Sequence, residues 1–360
     1  MLLIHRINLS KEPNSGNDND ANEGAFRVPW FPGEKGKLTY QEARLPVFDP
    51  WTLEEYADEL SRSGVRVLAR KRGTMWVRYE RFAYVRFPTF QLGSPTPGET
   101  ARLLWRGPGL VVSYMIEPDQ RHPANAWLYL CTNRNYSLES LDSAMRRNVR
   151  KGLKELKIAP ISSGQLVASG FEAFRDTRHR AGLTDGTLEA FQRRFSAFKE
   201  GPGRCLLGAW KEAELAAFLS IIEVEDWVEI ESCSVDRFLH HRPNDVLFFT
   251  AMTQYMSDPR CRLVSYGVSS IQEESNTAGL HRFKTKVGFE AIPVHRVFVV
   301  HPLLRPLVNR PILWIMSGAR HFLPGNRALR KACGMLRLLI YGGGKLGESV
   351  PDTASPLPDD

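Results

Sequence analysis

The sequence predicts an α/β protein whose mixed sheet is flanked by helices. Three observations carry that prediction. Short runs that alternate apolar and polar residues, or are rich in β-branched and aromatic ones, recur through most of the chain. Between them lie segments with helical apolar spacing, bounded by capping residues and glycine. In the second half the elements run helix, helix, three consecutive strands, then helix, strand, helix, strand.

Taken in order, residues 1–40 are expected to be extended or disordered, because "KEPNSGNDNDANEGA" (11–25) is polar and rich in Asn, Asp and Gly. The opening "MLLIHRINLSKEPN" has too short an apolar run, and no small-residue cleavage site, for a signal peptide. "DPWTLEEYADELSRSG" (49–64) has acids in its first turn and Gly64 at its end, which predicts a helix. Strands follow at "VRVLARKR" and "TMWVRYERFAYVRFP", a short helix at "GETARLLWR", and strands at "GLVVSYMIEP" and "NAWLYLCT". Residues 41–135 thus form a small α/β unit, weakly similar to the second one.

The helix "SLESLDSAMRRNVRKGLKELK" (137–157) carries an apolar stripe of Leu141, Met145, Val149, Leu153 and Leu156. Arg146, Arg147, Arg150, Lys151, Lys154 and Lys157 surround it. That basic surface is either a solvated face or a cradle for an anionic substrate, with Arg146, Arg150 and Lys151 in the binding role. Helices at "GFEAFRDTRHRAG" and "TLEAFQRRFSAFKE" lead to strands at "CLLGAWK", "ELAAFLSIIEVE" and "WVEIESCSVD". A helix at "NDVLFFTAMTQYMSD", a strand at "RLVSYGVSS", a helix over 277–287 and strands through "AIPVHRVFVVHP" close the unit.

A composition of 42% hydrophobic and 24% charged residues suits a soluble globular chain. No window holds the roughly 18 apolar residues that a membrane span needs. The net charge of +8 and pI near 9.3 fit an anionic partner, or simply a basic surface. Five scattered cysteines without a CxxC pair read as buried thiols in a reducing cytoplasm, not as a zinc site. No permanently bound cofactor is expected. Residues 301–345 hold eight Lys or Arg and no Asp or Glu. They either cover the core as helices or lie on an anionic membrane surface, with Trp314, Phe322 and Leu339 dipping in. The acidic tail 346–360 is expected to be disordered.

From residue 135 to 300 the chain resembles the FemAB-like branch of the GNAT acyltransferase superfamily. Four segments carry the resemblance: "YSLESLDSAMRRNVRKGLK", "HHRPNDVLFFTAM", "VSYGVSS" and "GLHRFKTKVGF", in the family's order. It implies a complete GNAT-like domain over 136–300, a degenerate GNAT-like one over 41–135, and a cleft where the fourth and fifth sheet strands diverge. It also implies transfer of an acyl or aminoacyl group to an amine, the acceptor being a cell-envelope or polysaccharide precursor. The donor would be an aminoacyl-tRNA, an acyl carrier or an acyl-CoA. The rivals are a conventional acyl-CoA N-acetyltransferase and a catalytically silent module that binds anionic ligands or membranes. The Fem enzymes' helical hairpin arm has no counterpart, and Tyr266 stands where relatives commonly carry an acid, in a position expected to meet substrate.

Conventional members hold coenzyme A pyrophosphate on a glycine-rich turn, where backbone N–H groups at a helix start meet the anion. Here that turn reads "RFLHHRPNDV", without glycine, and Pro243 removes a donor. Arg242 and Asn244 either hold a phosphate or, in the case of Asn244, cap the helix. Histidines 240 and 241 adjoin them but make no metal site alone. In the 277–287 helix, Leu280, Phe283 and Val287 define the expected buried face, with Lys284 about 70° and His281 and Arg282 about 130° from its centre. Lys284 is expected to lay its stem on apolar surface and send its ammonium into the cleft. The resemblance places Phe283 and Lys284 beside the reacting carbonyl. Glu231 shares a strand face with Glu229; it is either part of a solvated acidic face or, as the resemblance implies, the general base, and a substrate-assisted route would need no base at all.

Overall fold

The computed structural model describes residues 47–341, except 72, 80–82, 107–108, 182–185, 197, 199–200, 270–276 and 324–325. The expectations for 1–40 and 346–360 lie outside the described residues. The first unit comprises α1 (Leu53–Arg62), β1 (Val67–Lys71), β2 (Thr74–Tyr79), β3 (Ala83–Phe87), α2 (Pro97–Arg106), β4 (Val111–Ile116) and β5 (Ala126–Cys131). Next come α3 (Ser143–Glu155), β6 (Lys157–Pro160), α4 (Ser163–Ser169), α5 (Phe171–Arg180) and α6 (Leu188–Ser196). The second unit follows: β7 (Arg204–Lys211), β8 (Glu214–Val224), β9 (Trp227–Ser234), α7 (Pro243–Ser257), β10 (Leu263–Val268), α8 (Thr277–Lys286) and β11 (Glu290–Val300). Helices α9 (Arg310–Phe322) and α10 (Arg327–Tyr341) end the described chain.

All these strands join one mixed sheet in the order β1-β2-β3-β4-β11-β5-β10-β9-β8-β7-β6. The pairs β3–β4 and β9–β10 are parallel. Leaving β6 aside, the order is unchanged when β1–β5 are exchanged with β7–β11. Each unit is three antiparallel strands, a helix, and a fourth strand parallel to the third. Each then gives its fifth strand to the other: β11 pairs with β4, and β5 with β10. The two fourth strands even read alike, VVSYMI and LVSYGV, so Tyr114 stands where Tyr266 stands. The tandem architecture expected from the weak internal similarity is present. What differs is the link between fourth and fifth strands. The second unit places α8 there, whereas residues 117–125 of the first hold no helix.

The expected split is also present, between β9 and β10, which are the fourth and fifth strands when the edge strand β6 is counted as the first. Pairing of β9 with β10 runs through Trp227↔Leu263, Val228↔Val264 and Glu229↔Ser265, then stops. Both strands continue beyond it, to Ser234 and Val268.

Local chemistry explains the helices around this gap. Thr52 and Glu55 form a reciprocal capping box at α1. Asp142 accepts a hydrogen bond from Met145 N–H at 2.7 Å, so α3 begins at Ser143, later than the apolar stripe suggests. Helix α7 is apolar on nearly every side, and it is buried between the sheet and α3. Gly152 of α3 permits that contact, since a Cβ there would stand 3.1 Å from Val246 Cβ and 3.2 Å from the Arg242 carbonyl oxygen. All five cysteines are free and buried.

Two elements, β6 and α4, were not expected. "KIAP" is a four-residue strand at the sheet edge that shows no alternation. Helix α4 is only seven residues long, and its Ser162–Gln165 capping box was its one visible sign. At the C-terminal end, α9 and α10 pack together around Leu313, Cys333 and Leu336.

Candidate active site

Strand β10 reaches the split with a one-residue bulge. Ser265 pairs with Leu130 and Val268 with Leu128, so Tyr266 and Gly267 share the place opposite Tyr129. Gly267 adopts φ +73°, a conformation that glycine enters freely. Its N–H donates to the buried Ser265 Oγ at 3.1 Å. The bulge lies one step past the last β9–β10 pair and turns the Tyr266 ring toward the Tyr129 side.

Helix α8 brings the cation. Its end is a Schellman motif: Phe289 N–H donates to Lys284 C=O at 3.0 Å and Gly288 N–H to Thr285 C=O at 3.2 Å. Gly288 has φ +106°. The Tyr136 hydroxyl donates to Val287 C=O at 2.7 Å and fixes this turn against the core. Lys284, on the last turn, is only 2% exposed. Its Nζ lies 3.9 Å from the centre of the Tyr129 ring and 4.2 Å from that of Tyr266. Among the described residues no carboxylate pairs with it.

Burial pushes this ammonium down to about 7. The two π faces act in the opposite direction, because each offers negative density to a cation that water no longer solvates. Burial also pushes both phenols up to about 12, so the rings stay neutral and the contact is cation–π, not an ion pair. His281, one turn back on α8, places Nδ1 3.0 Å from Tyr129 Oη. Burial first, then the Lys284 charge, hold its imidazole below its ordinary value. The neutral ring can therefore accept a hydrogen bond from the Tyr129 hydroxyl, which keeps its proton. On the other side, Tyr266 Oη lies 3.2 Å from Ser232 Oγ on β9, a side-chain bridge across the split. Phe283 packs edge-on against Phe248, ring centres 5.5 Å apart.

This corrects the helical-wheel expectation for α8. Leu280 is 41% exposed, and the buried side centres on Lys284 and Val287, with His281 turned to Tyr129. The reason is that the last turn of α8 sits on the sheet while its first turn is exposed. Lys284 is enclosed between rings rather than laid along an apolar surface.

Glu231 sits elsewhere. It adjoins Ser232 on β9, so strand alternation puts it on the opposite sheet face from the Tyr266 contact. Its carboxylate accepts from Arg194 Nη2 of α6 at 2.5 Å. Glu229 shares that face, where burial first, and the Glu231 charge after it, push its carboxyl above the ordinary range. Glu231→Gln is expected to lower stability by about 1–3 kcal/mol, because it leaves a half-buried guanidinium without its anion. An unchanged denaturant midpoint would show that the pair contributes nothing.

Asn244 is not the helix cap. Arg242 holds the N-cap position in the left-handed region, with φ 64° and ψ 40°, and Pro243 is the first helical residue. The Asn244 amide instead donates to Ser234 Oγ at 2.9 Å, a hydroxyl that also accepts from Arg180 at 2.8 Å. Within that turn, burial pushes the Asp245 carboxyl up to about 6. The Arg242 side chain is exposed, as are Arg150 and Lys151 on α3, while Arg146 is half-buried. Gly152 brings the α3 backbone onto the Arg242 carbonyl at the start of α7, whereas Arg150 falls on the far side of α3 from that contact. The His241 ring engages Glu155 of α3.

The structure thus gathers Phe283, Lys284 and Tyr266, and adds Tyr129, His281 and Ser232, which the sequence reading missed. Alternation along "NAWLYLC" puts Tyr129 beside the core, yet no spacing rule links it to a helix more than 150 residues later. Only the exchange of fifth strands does that.

No protein-family model and no curated protein matches the chain. Solved structures do. FemX is 11% identical with a TM-score of 0.50, over 76% of this chain and 100% of that one. A C-terminal domain from Agrobacterium fabrum, described as that of a lysylphosphatidylglycerol synthetase, is 16% identical with a TM-score of 0.45, over 75% and 93% of the two chains. A tandem GNAT protein from the clavulanic acid biosynthesis pathway is 11% identical with a TM-score of 0.36, over 63% and 78%. The class is therefore a tandem α/β protein with a split mixed sheet. Its fold is the one that FemX has.

Proposed function

We propose that this chain transfers an acyl or aminoacyl group to an amine, with Lys284 as the electrophilic residue. The observation that carries this reading is the caged ammonium at the split between β9 and β10. Transfer needs an amine nitrogen to attack an ester or thioester carbonyl carbon. The carbonyl electrons move to oxygen as the C–N bond forms, and the Lys284 ammonium stabilises that oxyanion. Collapse breaks the C–O or C–S bond, and the leaving alcohol or thiol takes the proton released by the amine. A cation near neutrality in a site that excludes water suits this task better than a solvated lysine does. Because Lys284 is enclosed, substrate entry requires the Tyr266 ring, on the split side, to swing off Nζ.

The start of α7 argues against an acyl-CoA donor. Pro243 supplies no N–H there, and Asp245 stands two residues beyond it. A donor held by side-chain cations, such as an aminoacyl-tRNA or an acyl carrier, fits Arg146, Arg150, Lys151 and Arg242 better. The acceptor class remains the one the Fem resemblance implies, a cell-envelope or polysaccharide precursor. The enclosure of Lys284 favours one second reading, a catalytically silent module.

Incubation with each donor class and an amine acceptor, followed by mass spectrometry of the acceptor, separates them. Product formation that disappears in Lys284→Met supports transfer. No product from any donor, with ligand binding unaltered in that variant, supports the silent module. With an acceptor amine already neutral above pH 6, kcat should fall as pH rises through about 7, where Lys284 loses its proton. A rate that climbs through that range would assign Lys284 to proton removal instead.

A further inference from the structure

Helix α9 is apolar on two separate sides. One side, with Ile312, Leu313 and Met316, packs on α10. The other carries Pro311, Trp314, Ile315, Gly318 and Phe322, which at about 100° per residue fall within one arc. All five are exposed, Trp314 to 79% and Phe322 to 86%. A Cβ added at Gly318 would meet nothing within 4 Å, so this face opens outward. Leu303 and Leu307, in the turn before α9, and Leu323 just after it are exposed as well. Leu339, expected to share this face, instead lines a concavity of about 210 Å³ against His295–Phe298 of β11.

We propose that this face seats the protein on an anionic lipid bilayer, with α9 lying in the interface plane. Charge decides the occupant. Arg310 flanks the apolar arc on α9 and Arg305 is exposed between Leu303 and Leu307, whereas Arg320 falls on the α10 side; residues 301–345 contain eight Lys or Arg and no acid. A second copy of the chain, docking face to face, would set these cations against their own equivalents. Anionic headgroups would neutralise them while the indole and phenyl rings enter the acyl boundary. Among the described residues no helix is long and apolar enough to cross a membrane, so the contact is peripheral. The inference does not depend on acyl transfer; if both hold, the acceptor is reached at a lipid surface.

The test is flotation of the full chain with phosphatidylcholine vesicles, with and without phosphatidylglycerol. The wild-type chain should float with the anionic vesicles and be released by high salt. The double variant Trp314→Ser, Phe322→Ser should partition at least about tenfold less. Both side chains are exposed, so its thermal midpoint should match wild type. A wild-type chain that stays at the bottom of the gradient would overturn the proposal. So would a double variant that floats equally well. Wild-type dimers that form without lipid, do not float, and become monomers in the double variant would assign the face to a second copy.

Discussion

Lys284→Met should lose about 10²–10³-fold in kcat for acyl transfer while gaining stability at neutral pH. The two effects share one cause. In the folded chain the ammonium has exchanged water for two phenol faces, which return only part of the lost hydration. Its folded value of about 7 lies below the ordinary 10.5. Between those limits the unfolded chain binds more protons than the folded one, so wild-type stability rises with pH across that window. Below pH 7 both states carry the charge and its burial cost is fully present. Methionine fills the same space without a charge. The variant should therefore be more stable than wild type by roughly 3–5 kcal/mol at pH 6, with the gap closing towards pH 10.5. Paired denaturant titrations at several pH values check this. Loss of activity through misfolding would appear as a destabilised variant instead.

Gly288→Ala should cost about 2–4 kcal/mol, and activity with it. The residue sits at φ +106°, where an L side chain is strained, and its new Cβ would stand 2.5 Å from Tyr136 Cε2. Tyr136 cannot retreat without giving up its bond to Val287 C=O. The end of α8 must then shift, and Lys284, two residues before the last helical position, shifts with it. Gly318→Ala is the control: it adds the same methyl group inside α9 with nothing within 4 Å. It should be neutral, or stabilising by up to about 1 kcal/mol. Equal melting curves for the two variants would show that Gly288 does not hold the turn.

Much of the fold was legible in the sequence. Alternation, capping residues and glycine stops marked nearly every element, and the family resemblance implied a sheet that splits. The site was legible in part. Phe283 and Lys284 stood out because a cation next to an aromatic at a glycine-closed helix end is unusual, and Tyr266 because the resemblance marks its place as one where relatives commonly carry an acid. The cage itself was not legible. It needs β5 to leave its own unit and pair with β10, and strand exchange leaves no periodic signal. Glu231 misled for a related reason. Alternation placed it correctly beside Glu229, but which face of the sheet Lys284 would occupy depended on α8, whose buried side was centred on the wrong residues. Asn244 misled because Pro243 takes the first helical position and forces the capping role back onto Arg242.

The caged cation is tested most directly by NMR titration of protein carrying isotope-labelled lysine, with Lys284→Met assigning the signal. One lysine resonance titrating near 7, shifted by the ring currents of two tyrosines and absent from the variant, is the expected result. A Lys284 signal that titrates near 10.5 with an unshifted resonance would contradict it, and would remove the electrophile from the proposed reaction.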